Sequence, residues 1–353
     1  MRIDCLETPA LLVDRDALDR NMERMRLILE KSGVALRPHY KSHKSTAIAH
    51  LQIQAGAKGI CCAKVSEAED LAMAGVEDIL VANQVVEKSR IARLAWLAKG
   101  CRIAVCVDQA QNIRDLEQAA AFADSRIRCL VEYEVGMGRC GVETPEAFAD
   151  LARQVMDCPH LEFEGIQAYA GHLSHEPDGE IRRQESEKIE IRLRQLLDYL
   201  KQEGILVKEV SGASTATAAL RGPDTVYTEV QAGSYLLMDS AYGQMGLEFE
   251  HSLTMLATVV SARPDLVVTD AGAKCMGADH GEILCPQLPG AAVNLSEEHS
   301  AFSFSNHGLQ PGDKVRLIPG HCCTTMNLND VFYFVREERV LDCLPVTSRG
   351  KSQ

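Results

Sequence analysis

The chain is predicted to be an α/β protein: a (β/α)8 TIM barrel followed by a smaller, mainly antiparallel β domain. Through the first two-thirds of the 353 residues, apolar runs of strand length alternate with amphipathic helical stretches. That rhythm calls for a parallel sheet covered by helices. The runs number eight, beginning at Val34, Lys58, Asp78, Arg102, Ile127, Leu161, Val207 and Val226, and eight such units close into a barrel. Past about Gly246 the rhythm stops. Segments such as TMLATVVSARP, DLVVTDAG, DKVRLIPG and VFYFVREERVLDCLPV are broken by Pro, Gly and Asn with no long helix between them, the pattern of antiparallel strands.

In order, a strand at Ala10 to Asp14 and a helix from about Asp16 to Ser32 precede the first barrel strand, and a helix from Thr46 to Ala55 follows it. The longest helix is expected from Gly179 to Glu203, the shortest in TATAAL after Ser214. The change of rhythm sets the domains at 8–248 for the barrel and 249–353 for the β domain, with the opening strand contributing to the latter. The tail SRGKSQ reads as disordered.

Hydrophobic residues at 46% and charged residues at 25% are those of a soluble globular protein. A net charge of −13 argues against nucleic acid or an anionic membrane as partner. No run approaches a membrane span, and MRIDCLETPALLVD lacks the apolar core of a signal peptide. Thirteen cysteines, with adjacent pairs at Cys61-Cys62 and Cys322-Cys323, read as mostly reduced thiols in the cytoplasm, one or two of them available to a metal.

The stretch Arg37 to Ser45, RPHYKSHKS, lies where the first barrel strand meets its helix, the edge at which barrels bind ligands. Arg37, His39, His43 and Lys44 crowd Lys41 in the chain, and crowding of like charge eases an amine's deprotonation. Lys41 is therefore a candidate nucleophile; the plainer reading is a solvated basic loop. In VEYEVGMGRCGV, Gly136, Gly138 and Gly141 allow a tight turn that presents Arg139 beside Glu132, either to hold an anionic oxygen or as a structural ion pair. GIQAYAGHLSH offers Tyr169 to pack on a planar group, with His172 and His175 as proton carriers, metal ligands or helix caps. Gly212, Ser214 and Thr215 in VSGASTAT, and Gly233, Ser234 and Tyr235 in QAGSYLLMD, are two candidate phosphate cradles, although Ser and Thr are equally common as helix caps. In PGHCCTTMN, His321 and Cys323 stand two apart on an expected strand, so both can reach one ion while Cys322 points away; a buried cysteine pair beside an unrelated histidine is the alternative.

TPALLVD, RPHYKSHKS, GICCAKVSEAE, VCVDQAQN, GMGRCGV, GIQAYAG, VSGAST, QAGSYLLMD, VTDAGAK, SEEHS, PGHCCTTMN and PVTSRGK span nearly the whole chain. Together they resemble the D-threonine aldolase and D-serine dehydratase family of alanine-racemase-like pyridoxal-phosphate enzymes, and within it most of all the 3-hydroxy-D-aspartate aldolases. The resemblance implies that Lys41 carries pyridoxal 5'-phosphate covalently. It further implies that Arg139 contacts the cofactor ring and Tyr169 flanks it, and that Gly212, Ser214, Thr215, Gly233, Ser234 and Tyr235 take the phosphate. By the same resemblance His175 is the catalytic base, His321 and Cys323 hold a divalent metal, and two chains pair as a homodimer. One departure stands out: aldolases of the group carry His-Cys-Asp at the metal motif and dehydratases His-x-Cys, whereas here the triplet is His321-Cys322-Cys323. A thiolate favours zinc over manganese or magnesium.

The expected activity is cleavage of a small β-hydroxy-D-amino acid at Cα–Cβ to glycine and an aldehyde. The alternative is a D-serine or 3-hydroxy-D-aspartate dehydratase giving a keto acid and ammonia, with zinc at His321 and Cys323. A non-catalytic cofactor carrier and a racemase fit less well, since neither needs a metal pair. His299 and His307 are further candidates, either for a substrate's distal carboxylate or for packing.

Overall fold

In the computed structural model, which describes residues 1–353, the eight apolar runs after β1 (Ala10–Asp14) become eight parallel strands. These are β2 (Ala35–Leu36), β3 (Ile60–Cys62), β4 (Asp78–Gln84), β5 (Arg102–Val107), β6 (Ile127–Glu132), β7 (Leu161–Ala168), β8 (Glu209–Gly212) and β9 (Glu229–Val230). They line up as β2-β9-β8-β7-β6-β5-β4-β3. A parallel bridge from His39 to Cys61 joins the two outermost strands and closes the barrel. Helices α1 (Arg15–Glu30), α2 (Thr46–Gln54), α3 (Val65–Met73), α4 (Lys88–Leu97), α5 (Ala110–Ala123), α6 (Pro145–Met156) and α7 (Gly179–Gln202) each follow a strand. Local chemistry sets their starts: α6 opens with Pro145 after Thr144, whose hydroxyl accepts the Ala147 amide at 3.2 Å. The helix expected in TATAAL is only a 3-10 turn, Ala218–Leu220.

By close packing the chain divides into Arg26–Lys41, Ile48–Gly233 and Lys351–Gln353 as one unit, and Met1–Met25, Ser42–Ala47 and Ser234–Gly350 as the other. The composition changes near residue 248, whereas the units part at Gly233–Ser234. In the β unit, β10 (Leu253–Arg263), β11 (Leu266–Thr269), β12 (Ala292–Leu295), β13 (Ser300–Ser303), β14 (Lys314–Leu317), β15 (Val331–Arg336) and β16 (Arg339–Pro345) gather around β1, with the short helices α8 (Ser240–Gly243) and α9 (Cys322–Leu328) between strands. β1 pairs antiparallel with β10 and parallel with β15; every other pairing in that sheet is antiparallel.

Strand periodicity sorts the barrel's two faces. Ile79, Val81, Ile103, Val105 and Val131 face outward into the large core shared with the helices. Cys61, Leu80, Ala104, Cys106 and Leu130 form an apolar layer of their own inside. Residues on or beside the barrel strands also carry a buried ion network. Arg37 reaches Glu229 at 2.9 Å and Asp78 at 2.7 Å, while Arg128 reaches the same Asp78 at 2.8 Å and Glu164 at 2.7 Å. Burial alone would raise Asp78, but its two guanidinium partners hold it below the ordinary carboxylate value. Glu164 has one such partner in the network, and burial pushes it up.

None of the thirteen cysteines is in a disulfide, and no helix is long and apolar enough to cross a membrane. The tail expected to be disordered is instead docked. Ser348 is buried and its amide donates to the Lys44 carbonyl at 2.9 Å, the Gly350 amide donates to Asn327 at 2.9 Å, and the Ser66 amide donates to the Gln353 carbonyl at 2.9 Å. Lys351 adds an ion pair to the buried Asp70 at 2.5 Å. Composition misses this because each partner lies far away in the chain.

Asp78→Ala strands two buried guanidiniums and is expected to lower the unfolding free energy by about 3 kcal/mol at neutral pH, read as a shifted denaturant midpoint. Because folding depresses the Asp78 pKa, the stability it adds is complete above the unfolded carboxylate range and lost as pH falls through the folded value. The gap between the parent and the variant should therefore narrow on acidification. Equal midpoints at neutral pH would remove the network from the stability of the barrel.

Candidate active site

At the carboxyl ends of the strands, His39, Lys41, Ala63, Ala82, Asn83, Arg139, Gln167, Tyr169 and Gln231 line one cavity of about 220 Å³. Lys41 sits in a 3-10 turn, Tyr40–Ser42, and its backbone amide donates to His39 Nδ1 at 3.4 Å. The Lys41 Nζ lies 5.5 Å from the centre of the Tyr169 ring and the Arg139 Cζ lies 5.7 Å from the same ring. Three residues far apart in the chain thus meet around one aromatic plane.

Of the cations clustered around Lys41 in the sequence, most are engaged elsewhere. Arg37 is taken by Glu229 and Asp78, Lys44 donates to the Ser348 carbonyl at 3.4 Å, and His43 is buried with its Nδ1 accepting the Ser45 amide. The guanidinium that shares the Lys41 cavity is Arg139.

The glycine loop shapes that placement. Gly136 adopts φ 119°, a conformation that favours glycine, and a Cβ there would also stand 2.9 Å from the His172 ring. Glu134 accepts the amides of Gly136 and Gly138 at 2.9 and 2.8 Å, and the Gly141 amide donates to Asp108 at 3.1 Å. Arg139 faces Glu132 at 3.9 Å; burial raises the pKa of Glu132, whose other oxygen accepts from Gln84 at 2.5 Å. Below the cavity the Gln231 side-chain amide donates to Gln167 and to Ser211, both at 2.7 Å, and Ser211 donates to Glu229 at 2.6 Å. Gln167 and Gln231 are residues that sequence reasoning missed. Their inward position follows from strand alternation once the register of β7 and β9 is known.

His172 and His175 lie exposed on the turn Gly171–His175. Neither caps α7: Asp178 does, accepting the amides of Glu180 and Ile181 at 2.8 and 3.2 Å.

The two phosphate cradles are less open than their composition suggests. Gly212 is required by strand packing, because a Cβ there would overlap the Ala168 carbonyl oxygen. The Ser214 amide donates to the Thr217 hydroxyl at 3.0 Å, so Ser214 opens no helix of free amides. Thr215 is buried and Gly233 is half-buried. Tyr235 is fully buried, its ring 5.7 Å from that of Phe249, and the Ser234 hydroxyl stands 3.9 Å from the Cys323 sulfur.

His321 and Cys323 are not on a strand. His321 is the residue before α9, and Cys323 belongs to that helix's first turn. Cys322 is wholly buried, its amide donating to Asp239 at 2.8 Å. Burial opposes a charged His321, yet hydrogen bonding and attraction from Cys323 and Asp279 push its pKa up to about 9. Asp279, His280 and His321 bring their donor atoms within 4.8 Å of one another. Sequence reasoning missed the first two, whose one signal is an Asp-His pair set between Gly277 and Gly281. His307 serves its own loop, with Nε2 donating to the Arg263 carbonyl at 2.6 Å and Nδ1 accepting the Leu309 amide at 3.0 Å. His299 is exposed.

The family described as alanine racemase, N-terminal domain, matches residues 13–241, and a putative serine dehydratase domain family matches residues 252–335. A 3-hydroxy-D-aspartate aldolase of Paracoccus denitrificans (strain Pd 1222) is 38% identical over 98% of this chain and 93% of its own length. A D-threo-3-hydroxyaspartate dehydratase of Delftia sp. (strain HT23) is 28% identical over 91% and 92%. The crystal structure of a D-threonine aldolase from Filomicrobium marinum superposes with a TM-score of 0.97 at 35% identity, covering 100% of this chain and 98% of that one. With matches of that extent in sequence and in structure, the chain belongs to the family of D-threonine and 3-hydroxy-D-aspartate aldolases, built on the alanine racemase fold.

Proposed function

We propose that this chain is a lyase that cleaves β-hydroxy-D-amino acids between Cα and Cβ, giving glycine and an aldehyde, with pyridoxal 5'-phosphate held by Lys41 and a divalent ion held by His321 and Cys323. The observation that carries the reading is the cavity in which an amine, a guanidinium and an aromatic ring converge above a floor of two amides. Those groups fit a planar, anionic aldehyde cofactor, and the imidazole and thiol of His321 and Cys323 fit a borderline-soft ion such as zinc, with manganese or magnesium as harder alternatives.

When bound, the cofactor supplies a sink for the electron pair released at Cα, and the metal acts as a Lewis acid on the substrate hydroxyl. Lys41 would hold the cofactor through its amine. Arg139 orients the ring as a cation and offers no base. Tyr169 would flank the cofactor ring. His175, the last residue of the turn Gly171–His175, takes the proton of the substrate hydroxyl as the bond to Cα breaks. Gly212, Ser214, Thr215, Gly233, Ser234 and Tyr235 would take the phosphate, Gly212 being required by strand packing as well. Two chains are expected to pair.

The resemblance leaves room for a second reading: it implies a carboxylate in aldolases at the position where this chain has Cys323. A dehydratase would instead expel the substrate hydroxyl and release a keto acid and ammonia. Product analysis separates the two. With D-threonine and 3-hydroxy-D-aspartate, glycine is expected, and ammonia with a keto acid as the main products would reverse the assignment. Borohydride reduction is expected to fix the cofactor on Lys41, found by peptide mass, and Lys41→Ala to lose both the adduct and turnover; full turnover in that variant would refute the role. Chelation should abolish activity and zinc should restore it, whereas undiminished turnover in metal-free protein would take His321 and Cys323 out of the reaction.

A further inference from the structure

The segments 277–281 and 320–324 are held backbone to backbone by three glycines. A Cβ on Gly277 would lie 2.7 Å from the Thr324 Cβ, one on Gly281 would lie 3.0 Å from the Gly320 carbonyl oxygen, and one on Gly320 would overlap the Gly281 carbonyl oxygen. An antiparallel bridge between Gly277 and His321 fixes their register. This close approach delivers Asp279 to His321: the carboxylate Oδ2 is 2.7 Å from the imidazole Nδ1. The Thr324 hydroxyl donates to the same Oδ2 at 3.2 Å and lies 3.0 Å from the same Nδ1. His280 stands edge-on to His321, with ring centres 4.5 Å apart at 70°.

An ionised carboxylate can only accept hydrogen bonds, so the 2.7 Å contact requires the proton to be on Nδ1 of His321. In the neutral ring that tautomer leaves the lone pair on Nε2. We infer that Asp279, supported by Thr324, is the positioning residue of the metal centre: it fixes the tautomer and tilt of His321 so that Nε2 is the atom offered to the ion. The inference rests on the proposed metal role of His321 and Cys323. The Asp279 Oδ2 is committed to the imidazole and the Thr324 hydroxyl, the arrangement of a carboxylate that supports a ligating histidine. Carboxylates that accept the second ring N–H of a ligating histidine also raise its basicity, and losing one weakens metal affinity by about 10- to 100-fold.

The test is cobalt(II) binding to the full-length metal-free protein, followed by chelator competition and by the thiolate-to-cobalt charge-transfer band. The parent protein is expected to bind one ion with the band present. Asp279→Asn should bind about 10-fold more weakly and Asp279→Ala up to about 100-fold more weakly, each keeping the band, since Cys323 remains a ligand. Asp279→Asn preserves shape and decides the matter if the alanine variant does not fold. Unchanged affinity in the asparagine variant overturns the inference, and so does a shifted cobalt spectrum that marks Asp279 as a direct ligand. Failure of the parent protein to take up cobalt removes the metal reading itself, and this inference with it.

Discussion

The barrel is organised around a charge arrangement that water cannot reach easily. Arg37 and Arg128 share Asp78 and are each completed by a further carboxylate, Glu229 or Glu164. Taking these ions out of water costs several kcal/mol apiece, which their mutual attraction offsets only when the geometry is good. Such a set adds little net stability over an apolar core, but it penalises any arrangement in which one partner is missing. The partners come from β4, β6, β7, β9 and the end of β2. A strand in the wrong place would leave a charge unpaired, so the network selects strand order more than it strengthens it.

The same network supports the cavity. Glu229 accepts from Ser211, Ser211 from Gln231, and Gln231 also holds Gln167. These bonds tie the cavity floor to the charged layer through the barrel interior, beside the small side chains of Cys61, Ala104 and Cys106. A floor fixed in this way keeps two amides at set positions in the cavity that Lys41 also lines. Rigid support of that kind is what a site needs to orient a bound group.

Much of this is legible in the sequence. Periodicity locates all eight barrel strands, because alternation of apolar runs and amphipathic helices is a local property that tertiary contacts only sharpen. Lys41, Arg139 and Tyr169 are legible as separate signals at strand ends, and a barrel brings strand ends together. What cannot be read are pairings over long separations. Arg37 reads as part of the cluster around Lys41 because its carboxylate, Glu229, lies 192 residues away. Ser214 reads as the start of a helix because the Thr217 hydroxyl that takes its amide is also a good helix-cap residue. The tail reads as disordered because its composition is polar, whereas its hydrogen bonds depend on partners at Lys44, Ser66 and Asn327. Asp279 and His280 sit in a glycine-flanked loop without periodicity, and only the approach of the 320–324 segment makes them neighbours of His321.

The central place of β1 has a consequence for how the molecule is made. This strand leaves the ribosome before every strand of the barrel, yet its two partners are the segments at 253–256 and 333–335. Synthesis proceeds from the amino end at about 5–20 residues per second, so every barrel strand is made before β1 has anything to pair with. This first strand must therefore wait until β10, made only after the whole barrel, has followed it.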